Sequence, residues 1–120
     1  MSLVLVDTNI WIHHFQVGNP QLKTLLKDDL VVMHPFVRGE LACGKMKFRE
    51  EILDLVLSLP EADILEDHEF HSFVDRHKLF GRGLGFVDIH LLGSCQMAKH
   101  QLWTLDKNLL REAKRLRIHF

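Results

Sequence analysis

The chain contains 120 residues, with 15 Lys and Arg against 16 Asp and Glu and a formal net charge of −1. This length suffices for one domain with a hydrophobic core but not for two, so we expect a single domain over residues 1–120. The nearly neutral charge alone predicts neither nucleic acid nor membrane as a partner, and two cysteines outside any C-x-x-C motif exclude a disulfide-rich class.

Strand and helix patterns alternate along the chain. Apolar runs predict strands at residues 3–6, 30–33, 62–65, 102–105 and 117–120. Helical patterns fill the intervals at residues 8–15, 20–28, 35–46, 48–58, 66–79, 86–99 and 107–114. Because each parallel return of a strand needs a crossover, this order predicts an α/β fold with a mainly parallel central sheet of about five strands and helices on both faces.

Targeting and membrane signals are not found in the sequence. A strand pattern begins almost at the first residue, without a basic and apolar leader, and no apolar stretch approaches the roughly 20 residues of a membrane span. Cys43 and Cys95 both fall within apolar helical patterns, as reduced cysteines do. We therefore expect a cytoplasmic location and no membrane partner.

Asp7 and Asp106 each end an apolar run of a predicted strand. In an open parallel sheet, ligands bind beyond the carboxyl ends of the strands, which is where both side chains should emerge. Taken singly, each Asp is equally well explained as the cap of the following helix.

Glu40 and Asp88 lie in predicted helices, and their i±3 and i±4 neighbours are mostly apolar, so we expect both side chains to point toward a core. Capping does not explain Glu40, and it explains Asp88 only if a helix begins there. Several carboxylates gathered at one place can stay ionised if a hard cation neutralises them. Oxygen-only ligands favour Mg²⁺ or Mn²⁺ over zinc.

Four short motifs carry a resemblance to a known family. They are Val6-Asp7-Thr8-Asn9, Arg38-Gly39-Glu40-Leu41, Phe86-Val87-Asp88-Ile89-His90-Leu91-Leu92 and Leu102-Trp103-Thr104-Leu105-Asp106. In order and spacing the chain resembles a PIN-domain ribonuclease of the VapC toxin type. The resemblance implies a magnesium-dependent endoribonuclease, with Mn²⁺ as a substitute, that hydrolyses phosphodiester bonds in RNA through a metal-activated water. It also implies a cognate antitoxin partner and a homodimer.

The resemblance also assigns roles to residues. Asp7, Glu40, Asp88 and Asp106 would form the catalytic magnesium site, with Asp7 and Asp88 as direct ligands and the other two acting through water or a second ion. Two threonines, Thr8 and Thr104, would support the site by hydrogen bonds.

One departure from the family pattern follows the last motif. An acidic residue and an aromatic residue often follow the final Asp in this family, whereas Lys107-Asn108-Leu109 follow Asp106 here. Asn108 could replace the missing carboxylate only as a neutral oxygen ligand, which weakens a second metal site and leaves a one-metal mechanism intact.

Basic residues offer further candidates for RNA contact. Arg38 and Arg82 are candidates for phosphate contact. The basic segments at residues 45–49 and 111–117 are equally compatible with RNA contact and with a solvated helix face balanced by nearby acids. His90 is expected at the surface or at an interface.

Two alternatives to a nuclease remain open from the sequence. One is a non-catalytic relative that binds RNA or a protein through the same fold. The other is a receiver-type phosphoacceptor domain, in which Asp54 would be the phosphorylated residue and Lys107 the lysine of the receiver site. The receiver hypothesis leaves Glu40 and Asp88 without a role.

Overall fold

The computed structural model describes residues 2–120 of the chain. The strands are β1 Val4–Val6, β2 Val31–Val32 and β3 Gln101–Trp103. The helices are α1 Thr8–Val17, α2 Pro20–Lys27, α3 Pro35–Cys43, α4 Arg49–Ser58, α5 Asp67–His77, α6 Phe86–Ala98 and α7 Lys107–Arg115. Each helix coincides with a predicted one to within three residues at its ends.

The sheet is parallel, with the strand order β2-β1-β3. β1 is the central strand, and in its register Leu5 lies beside Val32 on one side and Leu102 on the other. All three residues are buried, as expected for a strand covered on both faces. The α/β class and the parallel sheet are therefore confirmed.

The prediction of about five strands is wrong, because the described residues form only three. The predicted strand at 62–65 is reduced to one parallel bridge between Met33 and Glu61. The Asp63 carbonyl, which could have extended this pairing, instead accepts a hydrogen bond from the Ser94 hydroxyl of α6 (2.6 Å). The main chain is thereby tied to a helix rather than to the sheet.

The predicted strand at 117–120 is likewise a single parallel bridge, between Leu102 and His119. Arg117, directly before it, has a φ of 60°, which lies in the left-handed region and cannot continue a strand. Pairing can therefore begin only at Ile118, whose carbonyl accepts from the Leu102 N–H.

Helix α6 runs through the middle of the molecule, and seven consecutive residues of it, Ile89 to Cys95, are buried. Gly93 allows Leu65 to pack closely against α6, since a Cβ at position 93 would collide with the Leu65 side chain. His90, expected at the surface, is buried among the rings of Phe36, Phe70 and Phe86. That expectation is wrong because all faces of α6 near its middle are covered by neighbouring elements.

The hydrophobic core is one cluster that includes all three strands and the inner faces of the helices. Among residues 2–120, none of the helices combines the length and the apolar character needed to cross a membrane.

Candidate active site

Asp7 lies at the junction of β1 and α1. Its Oδ1 atom accepts from the Thr8 N–H (2.8 Å), so Asp7 caps α1. Its Oδ2 atom accepts from the Thr104 hydroxyl (2.7 Å) and from the Asn9 amide (3.3 Å). The side chain is buried, with 7% of its surface exposed. Three donors from two segments therefore fix the orientation of this carboxylate.

Thr104 and Asn9 join the ends of β1 and β3. The Thr104 hydroxyl accepts from the Asp106 N–H (3.0 Å) and from the Asn9 amide (3.3 Å), and Asn9 Oδ1 accepts from the Leu105 N–H (3.1 Å). The structure thus places Thr104 between Asp7 and Asp106, as expected of a supporting residue. Asn9 was given no role from the sequence, although its position two residues after Asp7 in the first motif was the available signal.

Asp106 is exposed and caps α7, because its Oδ1 atom accepts from the Leu109 N–H (2.9 Å). The capping explanation of both strand-end acids is thus correct, but for Asp106 it uses only one carboxylate oxygen. Within the described part of the chain no hydrogen bond reaches its Oδ2 atom, so capping leaves this atom available to a ligand.

Asp88 is the third residue of α6, which begins at Phe86. Its Oδ2 atom accepts from the Gly85 N–H (2.9 Å) and so closes the first turn. The side chain is half-buried. Asp88 therefore also closes a helix start with one carboxylate oxygen, and its Oδ1 atom remains available to a ligand.

Glu40 lies on the middle of α3, where its Oε1 atom accepts from the Thr8 hydroxyl (2.6 Å). The prediction that Glu40 points toward the core is wrong, because its side chain is exposed. The buried face of α3 is formed by Val37 and Leu41, whereas Cys43, three residues after Glu40, is itself exposed. Glu40 instead faces the start of α1, next to Asp7.

Mutual repulsion shows that the acids share one environment. Burial raises the pKa of Asp7 above its usual value, although the hydrogen bonds from Thr104 and Thr8 oppose the rise. The negative charges of Asp88 and Glu40 raise the pKa of Asp7 further. Keeping the Asp7 carboxylate ionised in this position therefore lowers the stability of the fold.

Asp88 shows the same balance. Burial raises its pKa, the Gly85 N–H opposes this, and repulsion from Asp106 and Glu40 adds to the rise. Each of the four acids is thus within electrostatic reach of at least one other, which brings together all four predicted site residues.

The donor chemistry of this pocket fits a hard cation, because all four side chains offer oxygen and two of them repel one another at a raised pKa. The spacing is wider than that of a formed ligand shell. Among residues 2–120, no three His, Cys, Asp or Glu side chains lie close enough to hold one ion. The four acids, which we call the acidic pocket, are therefore neighbours by charge rather than a formed ligand cage.

The other predicted site residues, Arg38, Asn108 and Arg82, make their contacts with groups outside the four acids. Arg38 pairs with Glu61 through Nη2 (3.3 Å). Asn108 accepts from Arg111 Nη1 (3.2 Å) through the same oxygen that would have served as a neutral metal ligand. Arg82 donates from Nε to the Lys78 carbonyl (2.7 Å) and stays partly exposed.

Comparison with solved structures first defines the fold class. The crystal structure of FitAcB from Neisseria gonorrhoeae aligns with this chain at a TM-score of 0.61 and 14% sequence identity, covering 93% of this chain and 94% of the other. At this identity the likeness shows a shared fold.

Comparison of sequences then defines the family. Ribonuclease VapC32 of Mycobacterium tuberculosis, in the CDC 1551/Oshkosh and H37Rv strains, is 43% identical over 108 residues, which cover 89% of this chain and 87% of the relative. No protein-family model matches the chain. The identity and coverage show that the chain belongs to the VapC family of PIN-domain ribonucleases, which confirms the resemblance carried by the four motifs.

Proposed function

We propose that this VapC-family member is a magnesium-dependent endoribonuclease, with Mn²⁺ as a substitute, that acts as the toxin of a toxin–antitoxin pair. The observation that carries the proposal is that Asp7, Glu40, Asp88 and Asp106 lie within electrostatic reach of one another, where burial and then mutual repulsion raise the pKa of Asp7 and of Asp88. Such repulsion destabilises the fold unless a ligand relieves it. A complete acidic set is therefore better explained by catalysis than by a non-catalytic relative.

The residues of the chain would hold and orient the ion. Asp7, fixed by three donors, and Asp88, with one oxygen unused by its helix, are the proposed direct ligands. Glu40 and Asp106, both exposed, would act through water or a second ion. A bound Mg²⁺ or Mn²⁺ supplies Lewis-acid activation of water and of the phosphate, so the protein itself need not supply a nucleophile.

The proposed substrate is RNA with unpaired bases, because the backbone and bases of a splayed loop are more accessible to a protein site than those within a duplex. Thr8, held against Glu40, and Thr104, held against Asp7, keep two of the carboxylates at set positions before RNA binds. Preorganised groups of this kind cost no rearrangement during the reaction.

Cleavage of RNA by the purified chain, freed of any antitoxin, tests the proposal. Total RNA and a tRNA pool are incubated with Mg²⁺, Mn²⁺ or chelator, alongside Asp88→Asn and Asp54→Asn. We expect metal-dependent cuts that Asp88→Asn loses and Asp54→Asn keeps, since Asp54 is an exposed residue of α4 outside the pocket. Equal cleavage with chelator, or by Asp88→Asn, would refute the assignment.

The receiver-type alternative is disfavoured by the position of Asp54. A receiver phosphoacceptor lies at the end of a strand, whereas Asp54 lies within helix α4. Incubation with acetyl phosphate provides the check, and uptake of phosphate that Asp54→Asn abolishes would restore this alternative.

The proposed antitoxin would cover the groove between α1 and the end of α3. This groove, of about 880 Å³, is lined by apolar side chains that include Phe15, Leu41, Met46 and Phe48. Glu40 also lines this groove, so a bound segment would contact one of the four acids. Footprinting of the co-expressed pair by hydrogen exchange is the measurement, and protection confined to other faces would exclude this groove.

The proposed homodimer would bury the aromatic surface at the start of α6. Phe86 is 60% exposed and stacks on Phe36 with a centroid separation of 6.1 Å. An exposed aromatic ring such as that of Phe86 is typical of interfaces. Sedimentation should show a dimer that Phe86→Ser dissociates, and a monomeric wild type at micromolar concentration would exclude it.

A further inference from the structure

Glu112, on α7, is a charged residue with none of its side chain exposed. Its Oε1 atom accepts from Arg115 Nε (2.7 Å) and its Oε2 atom from Arg111 Nε (2.9 Å). Arg82, from the segment between α5 and α6, places Nη1 3.8 Å from the Oε2 atom. One buried carboxylate thus gathers three guanidinium groups, which we call the arginine cluster.

The arginine cluster carries a net positive charge. Burial would raise the pKa of Glu112, but hydrogen bonds from Arg115 and Arg111 and the charges of Arg115 and Arg82 hold it below its usual value. Glu112 is therefore ionised, and its single negative charge against three positive charges leaves the cluster at +2. The positive charge exceeds what the fold requires to neutralise Glu112.

The guanidinium groups are anchored to the main chain and yet partly open to solvent. Arg111 Nη2 donates to the Arg82 carbonyl and Arg115 Nη2 to the His77 carbonyl, each at 2.8 Å. The side chains of Arg111, Arg115 and Arg82 are 54%, 39% and 38% exposed. Each guanidinium has five N–H donors, so several remain unused on groups that are already held in place.

A short chain of contacts links the arginine cluster to the first turn of α7 and to the segment that precedes α6. Arg111 Nη1 donates to Asn108 Oδ1, and Asn108 Nδ2 donates to the Gly83 carbonyl (3.4 Å). Gly83 permits this contact, because its φ is +75° and a Cβ would meet the Asn108 amide at 2.7 Å. Asn108 is in the first turn of α7, which Asp106 caps, and Gly83 precedes Asp88 by five residues.

We propose that Arg82, Arg111 and Arg115, gathered around the buried Glu112 carboxylate, bind a backbone phosphate of the RNA strand beside the acidic pocket. The proposal rests on the proposed ribonuclease function. It assigns to the basic segment at residues 111–117 a binding role rather than a merely solvated one. It also explains the position of the cluster, since an acidic pocket repels a polyanion unless positive charge nearby offsets it.

Guanidinium groups suit this ligand better than ammonium groups. A planar fork donates two parallel hydrogen bonds to phosphate oxygens, and groups fixed in advance lose less side-chain entropy on binding. An acidic peptide offers carboxylates to the same fork, but it has no phosphodiester bond on which the proposed nuclease site could act.

Arg82 is the residue to change, because its contact with Glu112 is the longest of the three and Glu112 keeps two hydrogen bonds without it. Binding of a fluorescein-labelled single-stranded RNA of mixed sequence is measured by anisotropy over a salt series, in an Asp88→Asn background that prevents cleavage. Arg82→Gln and Arg82→Lys are compared with Lys27→Gln, which removes one exposed positive charge from the end of α2.

We expect Arg82→Gln to weaken binding on the order of tenfold near physiological salt. Its salt dependence should fall by about 0.7 in log–log slope, the value for one phosphate contact on a single strand. Arg82→Lys should recover part of the affinity, and Lys27→Gln should bind as the parent does. In the cleaving protein, Arg82→Gln should raise KM and leave kcat within about twofold.

Equal weakening by Arg82→Gln and Lys27→Gln would overturn the proposal, because only net charge would then matter. A fall in kcat at unchanged KM would also overturn it, by showing that Arg82 acts through the geometry of Asp88. Binding of polyglutamate in preference to RNA would point to a protein partner and refute it.

The same variants separate this proposal from the nuclease itself. If the wild type cleaves RNA and Arg82→Gln changes neither RNA binding nor KM, the phosphate-binding role of the arginine cluster is refuted and the nuclease function stands. Arg82-dependent RNA binding without cleavage of any RNA refutes the nuclease and supports the cluster. Failure of the Asp88→Asn protein to bind RNA at low salt refutes the cluster regardless of cleavage.

Discussion

Replacement of Thr104 by Val tests how the acidic pocket is held. The two side chains have nearly the same shape, so the change removes a hydroxyl and little else. The hydroxyl donates to the buried Asp7 carboxylate at 2.7 Å and accepts from the Asp106 N–H at 3.0 Å. A hydrogen bond to a charged group contributes about 1.5–3 kcal/mol, and a part-buried N–H left without an acceptor costs about 1 kcal/mol.

We therefore expect Thr104→Val to lower the free energy of unfolding by about 2.5–4 kcal/mol. In a domain of this size that corresponds to a fall in Tm of about 10–15 °C. Thr8→Val is the matched control, since its hydroxyl donates to Glu40 at 2.6 Å in an exposed position where water can replace it. Thr8→Val should lower the free energy of unfolding by only about 0.5 kcal/mol.

The pH dependence of this difference follows from Asp7. Burial already raises the pKa of Asp7. The hydrogen bond from Thr104 lowers this pKa, so loss of the bond must raise it further. The unfolded chain ionises near the ordinary value of 3.8. Ionised Asp7 is therefore less stable in the variant at neutral pH, and the difference should shrink as pH falls and Asp7 becomes protonated in both proteins.

Urea unfolding of both variants at neutral and acid pH measures these quantities. The acid limb of the RNA-cleavage profile should also move to higher pH in Thr104→Val, because ionised Asp7 is needed there. A cost of Thr104→Val equal to that of Thr8→Val would refute the argument, since burial of the bond would then add nothing. So would a difference between the two variants that grows as the pH falls.

Further expectations concern the acids and the helix glycines. Asp88→Asn should raise the Tm of the metal-free protein at neutral pH, because a carboxyl with a raised pKa destabilises the fold when ionised; the gain should vanish below pH 3.8, and a lower Tm at neutral pH would contradict it. Mn²⁺ should raise the Tm of the wild type but not that of Asp88→Asn, as measured by thermal shift. Gly93→Ala should destabilise the fold by about 1–3 kcal/mol, because the added Cβ collides with Leu65. Gly39→Ala, with nothing within 4 Å of the added Cβ, should stabilise the fold by about 0.5–1 kcal/mol. Equal urea midpoints for the two variants would show that Leu65 moves aside without cost.

The local signals of the sequence were reliable wherever one segment alone decides the structure. The apolar run before Asp7 became the central strand β1, and Asp7 and Asp106 became both helix caps and members of one pocket. Pro20 and Pro35 occupy the first positions of α2 and α3, which are also the predicted starts of these helices. These features depend on neighbours within a few residues.

The number of strands in the sheet could not be predicted from such local signals. Residues 62–65 carry a strand pattern, yet the Asp63 carbonyl accepts from Ser94, 31 residues away. The number of paired residues depends on which distant group takes each main-chain donor or acceptor. An apolar pattern does not contain that information.

The sequence by itself determined the alternation of strands and helices, the four acids and the family, because periodicity and motif spacing are local properties of the chain. Only the tertiary structure decided which faces were covered. It exposed Glu40 beside Thr8, buried His90 among three phenylalanine rings, and turned Glu112, one acid among many basic residues, into the buried centre of the arginine cluster. Burial depends on what other segments bring to a side chain, and long-range packing is what supplies it.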